Sequence, residues 1–318
     1  MSGFAFRVAD GAVHAVAVDD APGATGDLVW VHLAANDREA HRWLCERAGL
    51  GDHIADTLTA SETRPRCDPA PGDGVFINLR GLSDEARELS DPLASVRIYA
   101  REGRVVSVSR KRLNGVAVVC DAIAGGGIDD PGDLIAAIAT AITNELDPAV
   151  ADLGDSLDDC EERLEADNAF ALRRRVNHVR IEAIGYRRFL YPQRSALEKL
   201  ATIEVPWLAE DDRLHLGAAA DRAARMAEEL ESIRERAALI HETLTDLRAE
   251  QIDQRSLIIA VVAMVFLPLT FLTGLLGMNV SGIPFAHRSW AFAGVVLVCA
   301  VLALAITAYF ARRHWFRR

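Results

Sequence analysis

The sequence predicts an α/β domain in the cytosol, followed by long helices and a C-terminal hairpin of two transmembrane helices. Short β-branched runs alternate with helical patterns in residues 1–110, and two uncharged apolar runs lie near the C-terminus. The charges are segregated: residues 1–253 contain all 46 acidic residues and 29 of the 35 basic ones, a net charge of −17. The residues after Asp253 include six arginines and no acid. This pattern is not that of a plain soluble enzyme, and the acidic bulk disfavours nucleic acid as a partner.

The first domain, expected over residues 1–125, is predicted to combine strands with short helices. Arg101, Glu102 and Gly103 separate two β-branched runs, which is a hairpin signal. Asn36 and Asp52 each precede a helical pattern and are expected to be N-caps. The predicted strands cover 12–18, 27–33, 75–80, 94–100 and 104–110, the predicted helices cover 37–48 and 53–61, and a turn is expected over 69–74.

Residues 126–255 are predicted to form a helical stalk. Apolar residues recur at helical spacing from Asp133 to about Tyr191, and the prolines of 191–193 and 205–207 are expected to interrupt the pattern. A last helix is expected to begin near Trp207 and to continue into the first apolar run, on the order of 65–70 residues in all. A coiled-coil dimer stalk is the alternative interpretation of this pattern.

Residues 256–318 are predicted to form the transmembrane hairpin, with helices over about 256–276 and 290–310. Each run is long enough, at about 1.5 Å per residue, to span a hydrocarbon core roughly 30 Å thick. Arginines flank the hairpin on the side of the two termini, so both termini are expected in the cytoplasm and the loop outside. No cleaved signal is expected at the N-terminus, and the inner or plasma membrane is the expected location. The alternative is a pair of buried core helices.

The first apolar run has one face of small and weakly polar residues. Two helices from one chain cannot enclose an aqueous path, so a hairpin serves either as an anchor or as one segment of a ring of copies. A pore lining would use this face, but close packing of helices through small residues would use it equally well. Spacing alone leaves both interpretations open. The face comprises Ser256, Ile259, Ala263, Leu267, Thr270, Gly274 and Gly277.

The end of the first apolar run carries a recognisable motif. Gly277, Met278 and Asn279 lie within the segment LPLTFLTGLLGMNVSGIP. This segment resembles the Gly-Met-Asn signature of the CorA family of divalent-cation channels and transporters. The residues around the motif, and the segments 61–66 and 96–112, are most similar to the zinc-transporting branch of that family. The resemblance implies a homopentamer with a cytosolic funnel, in which the first transmembrane helices line the pore.

The resemblance also implies roles for individual residues. Gly277, Met278 and Asn279 would form the selectivity filter, where Asn279 amide oxygens bind the hydration waters of a cation. Thr270 and Gly274 would form a second polar ring. Among the other pore-lining residues, which include Ser256 and Ala263, Leu267 and Ile259 would make dry constrictions that gate by excluding water.

The expected cargo is Zn²⁺, with Mg²⁺ or Co²⁺ as the alternative, and no resident cofactor is expected. Zinc favours His and Cys ligands, which the first run lacks, but the acids that follow the motif in magnesium-type members are also missing here. The apolar runs contain no carboxylate or histidine that would mark a proton relay, so coupled and passive transport both stay open. The alternative from another class is a membrane-anchored interaction protein with a coiled-coil stalk.

Three further groups of residues could bind metal. The acids Asp155, Asp158, Asp159 and Glu162 could hold regulatory divalent cations, although such a run is more often a solvated helix face. His41 and Cys45 at i and i+4 could ligate zinc, as could Asp52, His53 and Asp56. No Ser-His-Asp set, phosphate loop or pair of catalytic acids is present as a motif, so an enzyme is not expected.

Overall fold

The computed structural model describes residues 2–34, 37–61, 64–84, 93–164, 169–278, 283, 285 and 288–315. The chain divides into two compact units. The N-terminal unit comprises Met1–Arg163 and Ala171–His241, and the C-terminal unit comprises Leu164–Phe170 and Glu242–Arg318.

The N-terminal unit contains a seven-stranded sheet. Its strands are β1 (Ser2–Ala9), β2 (Ala12–Val16), β3 (Leu28–Ala34), β4 (Arg66–Ala70), β5 (Gly74–Leu82), β6 (Leu93–Arg101) and β7 (Arg104–Ser109). Their order in the sheet is β2-β1-β3-β7-β6-β5-β4. Among the described strands, β3 and β7 form the one parallel pair, and the other neighbours are antiparallel.

The hairpin predicted at 101–103 is confirmed, and it connects β6 to β7. Arg101 pairs with Arg104, and Gly103 adopts a φ of 66°, a left-handed conformation that glycine reaches without strain. The strands β1 and β4 are not among those predicted from the sequence. β4 is an edge strand that contains Pro69 and buries only Cys67, so it lacks the apolar alternation that identifies a strand.

Helices cover both faces of the sheet. The strands β3 and β5 are buried along almost their whole length, as expected for strands with a helical layer on each side. Leu44 and Leu58, from the first two helices, join Phe76 and Tyr99 in one apolar core. On the opposite face, Gly81 lies against Ile142 of a longer helix. The helices of this part are α1 (Asp37–Glu46), α2 (Asp52–Thr59), α3 (Asn114–Ala122) and α4 (Pro131–Glu162).

The predicted N-cap at Asp52 is wrong by one residue. Gly51, in an extended conformation, occupies the N-cap of α2, and Asp52 is the first helical residue. A carboxylate in the first turn still interacts favourably with the helix dipole. Asn36, the other predicted N-cap, lies outside the described residues.

Two long helices follow: α5 (Ala169–Thr202) and α6 (Glu210–Leu276). The predicted interruption at 191–193 is wrong, because α5 continues through Pro192. Proline removes one helical hydrogen bond. Next to it, the buried Gln193 accepts a hydrogen bond of 2.7 Å from the backbone N–H of Arg80, so a tertiary contact fixes the helix at this point. The 67 residues of α6 confirm the predicted length of the last helix.

The C-terminal unit contains the apolar part of α6 and a final helix, α7 (Ala291–Trp315). Their most apolar windows have mean hydropathies of 2.5 and 2.7, and neither window is buried within the structure. Both helices are therefore long and apolar enough to cross a membrane. The helix α4 also meets these criteria, with a mean hydropathy of 1.3, but half of its window is buried in the N-terminal unit. Its apolar character is accounted for by that core.

Candidate ion-conducting site

Partly shielded residues form one stripe along the apolar part of α6. Six of the residues predicted to line a pore are all exposed: Ser256, Ile259, Ala263, Leu267, Thr270 and Gly274. At about 100° per residue, this face lies on the side of the helix opposite the shielded stripe. The hairpin therefore leaves the predicted pore face uncovered. The shielded residues are Val261, Val265, Pro268, Leu269, Leu272 and Leu276.

A matching stripe runs along α7. Its partly shielded residues recur at three- and four-residue steps, which is the spacing of one helix face. One shielded face on each helix is what a two-helix hairpin requires. The residues of this stripe are Ala291, Gly294, Val295, Cys299, Leu302, Ala303, Ile306 and Phe310.

Two threonines place hydroxyl groups near the end of α6. The hydroxyl of Thr270 donates to the carbonyl of Phe266 over 2.8 Å, and the hydroxyl of Thr273 donates to the carbonyl of Leu269 over 3.0 Å. Each hydrogen atom is directed along its own helix, so the oxygen lone pairs remain available as acceptors. Thr270 lies on the predicted pore face, where such an oxygen can accept a hydrogen bond from a water molecule.

The helix ends at the Gly-Met-Asn motif. The N–H of Gly277 donates to the carbonyl of Thr273 over 2.9 Å, and a Cβ at Gly277 would lie 3.0 Å from that oxygen. This separation is tighter than an ordinary contact, so a side chain at position 277 would crowd the final turn. Met278 is 47% exposed. Asn279 lies outside the described residues, so its role as a ring of amide oxygens stays a prediction.

Two of the four candidate regulatory acids of α4, Asp158 and Asp159, take part in ion pairs of the N-terminal unit. Arg236 of α6 contacts Asp158 and Glu161, and Arg175 of α5 contacts Asp159 at 3.0 Å. Asp155 and Glu162 are exposed. These ion pairs connect α4 with its two neighbouring helices, and a cation at Asp158 or Asp159 would compete with an arginine.

A cluster of three carboxylates at the start of α4 was not predicted from the sequence. Among the described residues, Asp130, Asp133 and Asp212 form the one group whose potential ligand atoms all lie within 4.8 Å of one another. Asp130 caps α4 by accepting from the N–H of Asp133 at 2.9 Å, and Asp212 accepts from the N–H of Ala209 at 2.8 Å. These oxygens could hold a hard cation. Asp212 is 79 or more positions away in sequence from its two partners, so no local spacing reveals the cluster.

Burial gives Asp212 unusual protonation behaviour. The side chain is 2% exposed, and its desolvation raises the pKa of the carboxyl group to about 6. The hydrogen bond from Ala209 opposes this change, while Asp130 and Asp133 add to it because like charges nearby disfavour ionisation.

The two candidate groups for zinc on α1 and α2 come together. The sulfur of Cys45 lies 3.8 Å from Nδ1 of His41, and its thiol donates to Oδ1 of Asp52 over 3.5 Å. Nε2 of His41 lies 3.0 Å from Oδ1 of Asp56. Burial first, and then the hydrogen bond to Asp52, raises the pKa of the Cys45 thiol. The fifth candidate, His53, instead packs edge-on against the ring of Phe76.

An α/β unit followed by a helix that ends in an apolar segment, and by a second apolar helix, is the architecture of a membrane protein with a large soluble part. Residues 25–313 match the family model described as CorA-like Mg²⁺ transporter protein. The chain therefore belongs to the CorA family, which confirms the resemblance predicted from the Gly-Met-Asn motif.

Individual relatives agree with this assignment. The zinc transport protein ZntB of Pectobacterium atrosepticum is 29% identical over 316 residues, which cover 96% of each chain. The divalent cation transporter CmaX of Pseudomonas aeruginosa is 32% identical over 269 residues, which cover 83% of this chain and 81% of the relative. The structure of the full-length CmaX protein superimposes with a TM-score of 0.78 at 28% identity, and the match covers 98% of this chain and 97% of that one. The predicted fold class, an α/β domain followed by long helices and two apolar C-terminal helices, is confirmed.

Proposed function

We propose that the chain transports divalent metal cations across a membrane, with Zn²⁺ as the principal cargo, through a pore that several copies enclose. The observation that carries this proposal is the uncovered face of α6. That face contains the pore-lining residues predicted from the sequence, and it lies opposite the stripe that the hairpin shields. A simple anchor would need no such face, whereas a ring of α6 helices would use it to surround water.

The number of copies we propose is five, with the α6 helices innermost and the α7 helices outside them. We further propose three functional regions: a cytosolic α/β domain over 1–125, a cytosolic helical stalk over 126–255 and the transmembrane hairpin over 256–318. Both termini lie in the cytoplasm in this arrangement, because the arginines before α6 and after α7 favour that side.

The proposal of zinc rests on the names of the relatives and on the chemistry of the predicted entrance. A full-length relative is a zinc transport protein, whereas the family model is named for Mg²⁺. No acid follows Asn279 in this chain, so a ring of neutral amide oxygens would meet the hydrated cation. Such a ring binds inner-shell waters without removing them. Mg²⁺ and Co²⁺ are the alternative cargoes, and no catalytic step or resident cofactor enters the proposal.

The acidic N-terminal unit supports a role in handling cations. The first 253 residues carry a net charge of −17, and five copies would create a strongly negative vestibule at the cytosolic side. Such a field raises the local concentration of cations.

The test is reconstitution of the full chain into liposomes that contain either a zinc-sensitive or a magnesium-sensitive dye. We expect zinc flux well above that of protein-free liposomes, and a comparison with and without a pH gradient distinguishes coupled from passive transport. Absence of flux for every divalent cation, in liposomes where cross-linking shows assembled protein, would overturn the proposal.

The length of α6 favours one alternative, a coiled-coil dimer stalk on a membrane anchor. Chemical cross-linking separates the two functions before any transport measurement. A ladder that ends at five chains supports the pore, whereas a ladder that ends at two supports the stalk.

A further inference from the structure

We propose that the groove between α1 and α2 is a zinc-binding site, in which His41, Cys45 and Asp52 are the ligands and Asp56 orients the imidazole. The site belongs to the N-terminal unit and does not depend on the pore. It is formed by two helical pairs at i and i+4 spacing, one on each helix, which the connection between α1 and α2 brings face to face.

The connection between the two helices fixes this arrangement. The N–H of Leu50 donates to the carbonyl of Leu44 over 3.0 Å, and Gly49 adopts a φ of 63°. This turn reverses the chain within a few residues, so the first turn of α2 lies beside the last turn of α1. Cys45 and Asp52 therefore meet across the turn, although seven positions separate them.

The helices are held by the core from their other faces. Leu44 and Leu58 are buried in the apolar core below the sheet, and the indole Nε1 of Trp43 donates to Asp19 over 2.9 Å. The candidate ligands thus project from elements whose positions are set independently of any metal. Ligands on such rigid elements lose little entropy when a metal binds.

The distances around the sulfur fit zinc. With Zn–S of about 2.3 Å and Zn–N or Zn–O of about 2.0–2.2 Å, two ligand atoms in a tetrahedral site lie about 3.6 Å apart when one of them is sulfur. The sulfur of Cys45 lies 3.8 Å from Nδ1 of His41 and 3.5 Å from Oδ1 of Asp52. The imidazole nitrogen and the Asp52 oxygen lie more than 4.8 Å apart, on either side of the sulfur, so zinc binding requires the Asp52 side chain to rotate towards His41. Asp52 is exposed, which leaves its side chain room to rotate.

The contact between His41 and Asp56 supplies the support that a ligating histidine usually has. Metal-bound histidines almost always donate their second ring N–H to a carboxylate, a carbonyl or a water. With Nε2–H donating to Asp56 over 3.0 Å, the lone pair of Nδ1 is on the side of the Cys45 sulfur. The hydrogen bond thus selects the tautomer that can bind a metal through Nδ1.

The set of ligand atoms favours zinc over magnesium. A thiolate and an imidazole suit borderline-soft cations, whereas Mg²⁺ requires oxygen ligands in an octahedral arrangement. Two arginines, Arg38 and Arg42, and two acids, Glu46 and Asp52, line the same open pocket of about 560 Å³. Their formal charges cancel, so selectivity comes from ligand chemistry rather than from a negative field. The pocket gives an ion access from solvent and leaves room for a water as the fourth ligand.

The experiment is a titration of the purified full chain in detergent with Co²⁺, which replaces Zn²⁺ and reports a bound thiolate through a sulfur-to-cobalt charge-transfer absorption. We expect one thiolate-bound Co²⁺ per chain, displaced by Zn²⁺ but not by excess Mg²⁺. Cys45→Ser should lose the absorption, and Cys120→Ser is the matched control, since Cys120 is another partly buried free cysteine of the same unit. Asp56→Asn should keep the absorption at saturation and weaken binding about 10- to 100-fold.

Two results would overturn the proposal of a zinc site between α1 and α2. One is an unchanged absorption in Cys45→Ser, which would place the thiolate elsewhere. The other is unchanged affinity in both His41→Ala and Asp52→Asn, measured in protein whose circular dichroism matches the parent. Flux measurements do not enter this test, so its outcome is independent of the proposed transport function.

Discussion

The hydroxyl of Thr270 donates to the carbonyl of Phe266 over 2.8 Å, one helical turn back along α6. Thr273 makes the equivalent bond to Leu269 over 3.0 Å. The two threonines share the same local chemistry, but Thr270 lies at the centre of the uncovered face and Thr273 lies about 60° or more from it. This pair therefore offers a matched test of the proposed pore.

Thr270→Val is expected to lower zinc flux about tenfold, whereas Thr273→Val should leave it near the parent value. Valine keeps the shape of the side chain and removes the oxygen that would accept from the hydration water of a passing cation. The loss of one such bond, ~1.5 kcal/mol, corresponds to about tenfold in rate. The measurement is dye-reported flux per assembled oligomer. Equal effects of the two substitutions would contradict the assignment of the pore face.

Asn279→Ala is expected to abolish most cation entry while assembly survives. The substitution removes the proposed amide acceptor without a change of charge, so the hydration waters lose their first fixed partner. Asn279→Asp, which adds one negative charge per chain, should bind cations more tightly and release them more slowly. If Asn279 only caps the helix, both variants should be less stable and show normal flux per assembled oligomer. Flux and thermal stability measured on the same preparations separate the two roles.

Gln193→Ala is expected to destabilise the N-terminal unit by ~1–3 kcal/mol. The side-chain oxygen of Gln193 is the acceptor for the backbone N–H of Arg80 within the buried strand β5, and alanine would leave that donor unsatisfied. Gln254→Ala, at an exposed position of α6, is the control and should change stability little. Urea unfolding followed by tryptophan fluorescence gives both values, and an unchanged midpoint for Gln193→Ala would refute the importance of the contact.

The contact of Gln193 also shows what the sequence could and could not predict. The two apolar helices and the long α6 follow from local patterns, because a run of apolar residues or a helical period needs no knowledge of distant residues. The continuation of α5 through Pro192 could not be predicted, because it is accompanied by a contact with Arg80, 113 positions away. The edge strand β4 was missed for a related reason, since its identity depends on pairing with β5 rather than on its own pattern.

The candidate sites also divide into features that a local sequence pattern reveals and features that only the fold creates. The face proposed to line the pore could be named from the sequence, because it is a single helical period, and its role in a pore stays a prediction. The cluster of Asp130, Asp133 and Asp212 could not be named in this way, because only the fold brings α4 and α6 together there. For α1 and α2, the sequence identified two separate candidate groups, and the short turn between the helices joins them.

Zinc flux is expected to fall as monovalent salt rises. The charge of −17 on residues 1–253 raises the local cation concentration only within the screening distance, about 10 Å at 0.1 M salt. Flux should be measured from about 0.02 to 0.5 M potassium chloride, with sucrose of matched osmolarity as the control. Flux that does not depend on salt would remove the electrostatic role of the N-terminal unit.

Asp212→Asn is expected to stabilise the protein relative to the parent at pH 8 but not at pH 4. Burial raises the pKa of Asp212 from its ordinary value of 3.8 to about 6, so the folded state binds this proton more tightly than the unfolded state. The stabilising contribution is fully present below pH 3.8 and is lost as the pH rises through about 6. A folded-state pKa that is about 2 higher than the unfolded-state pKa changes the free energy of unfolding by at most ~3 kcal/mol.

An asparagine at position 212 avoids the free-energy cost of burying a charged carboxylate. Its amide oxygen can still accept a hydrogen bond from the N–H of Ala209. Asp130 and Asp133 lie beside the same carboxyl group, so their repulsion of an ionised Asp212 also disappears in the variant. The measurement is the midpoint of urea unfolding for parent and variant across pH 4 to 8, in buffer with a chelator that removes divalent cations. Two parallel curves across that range would show that Asp212 does not titrate as its burial requires.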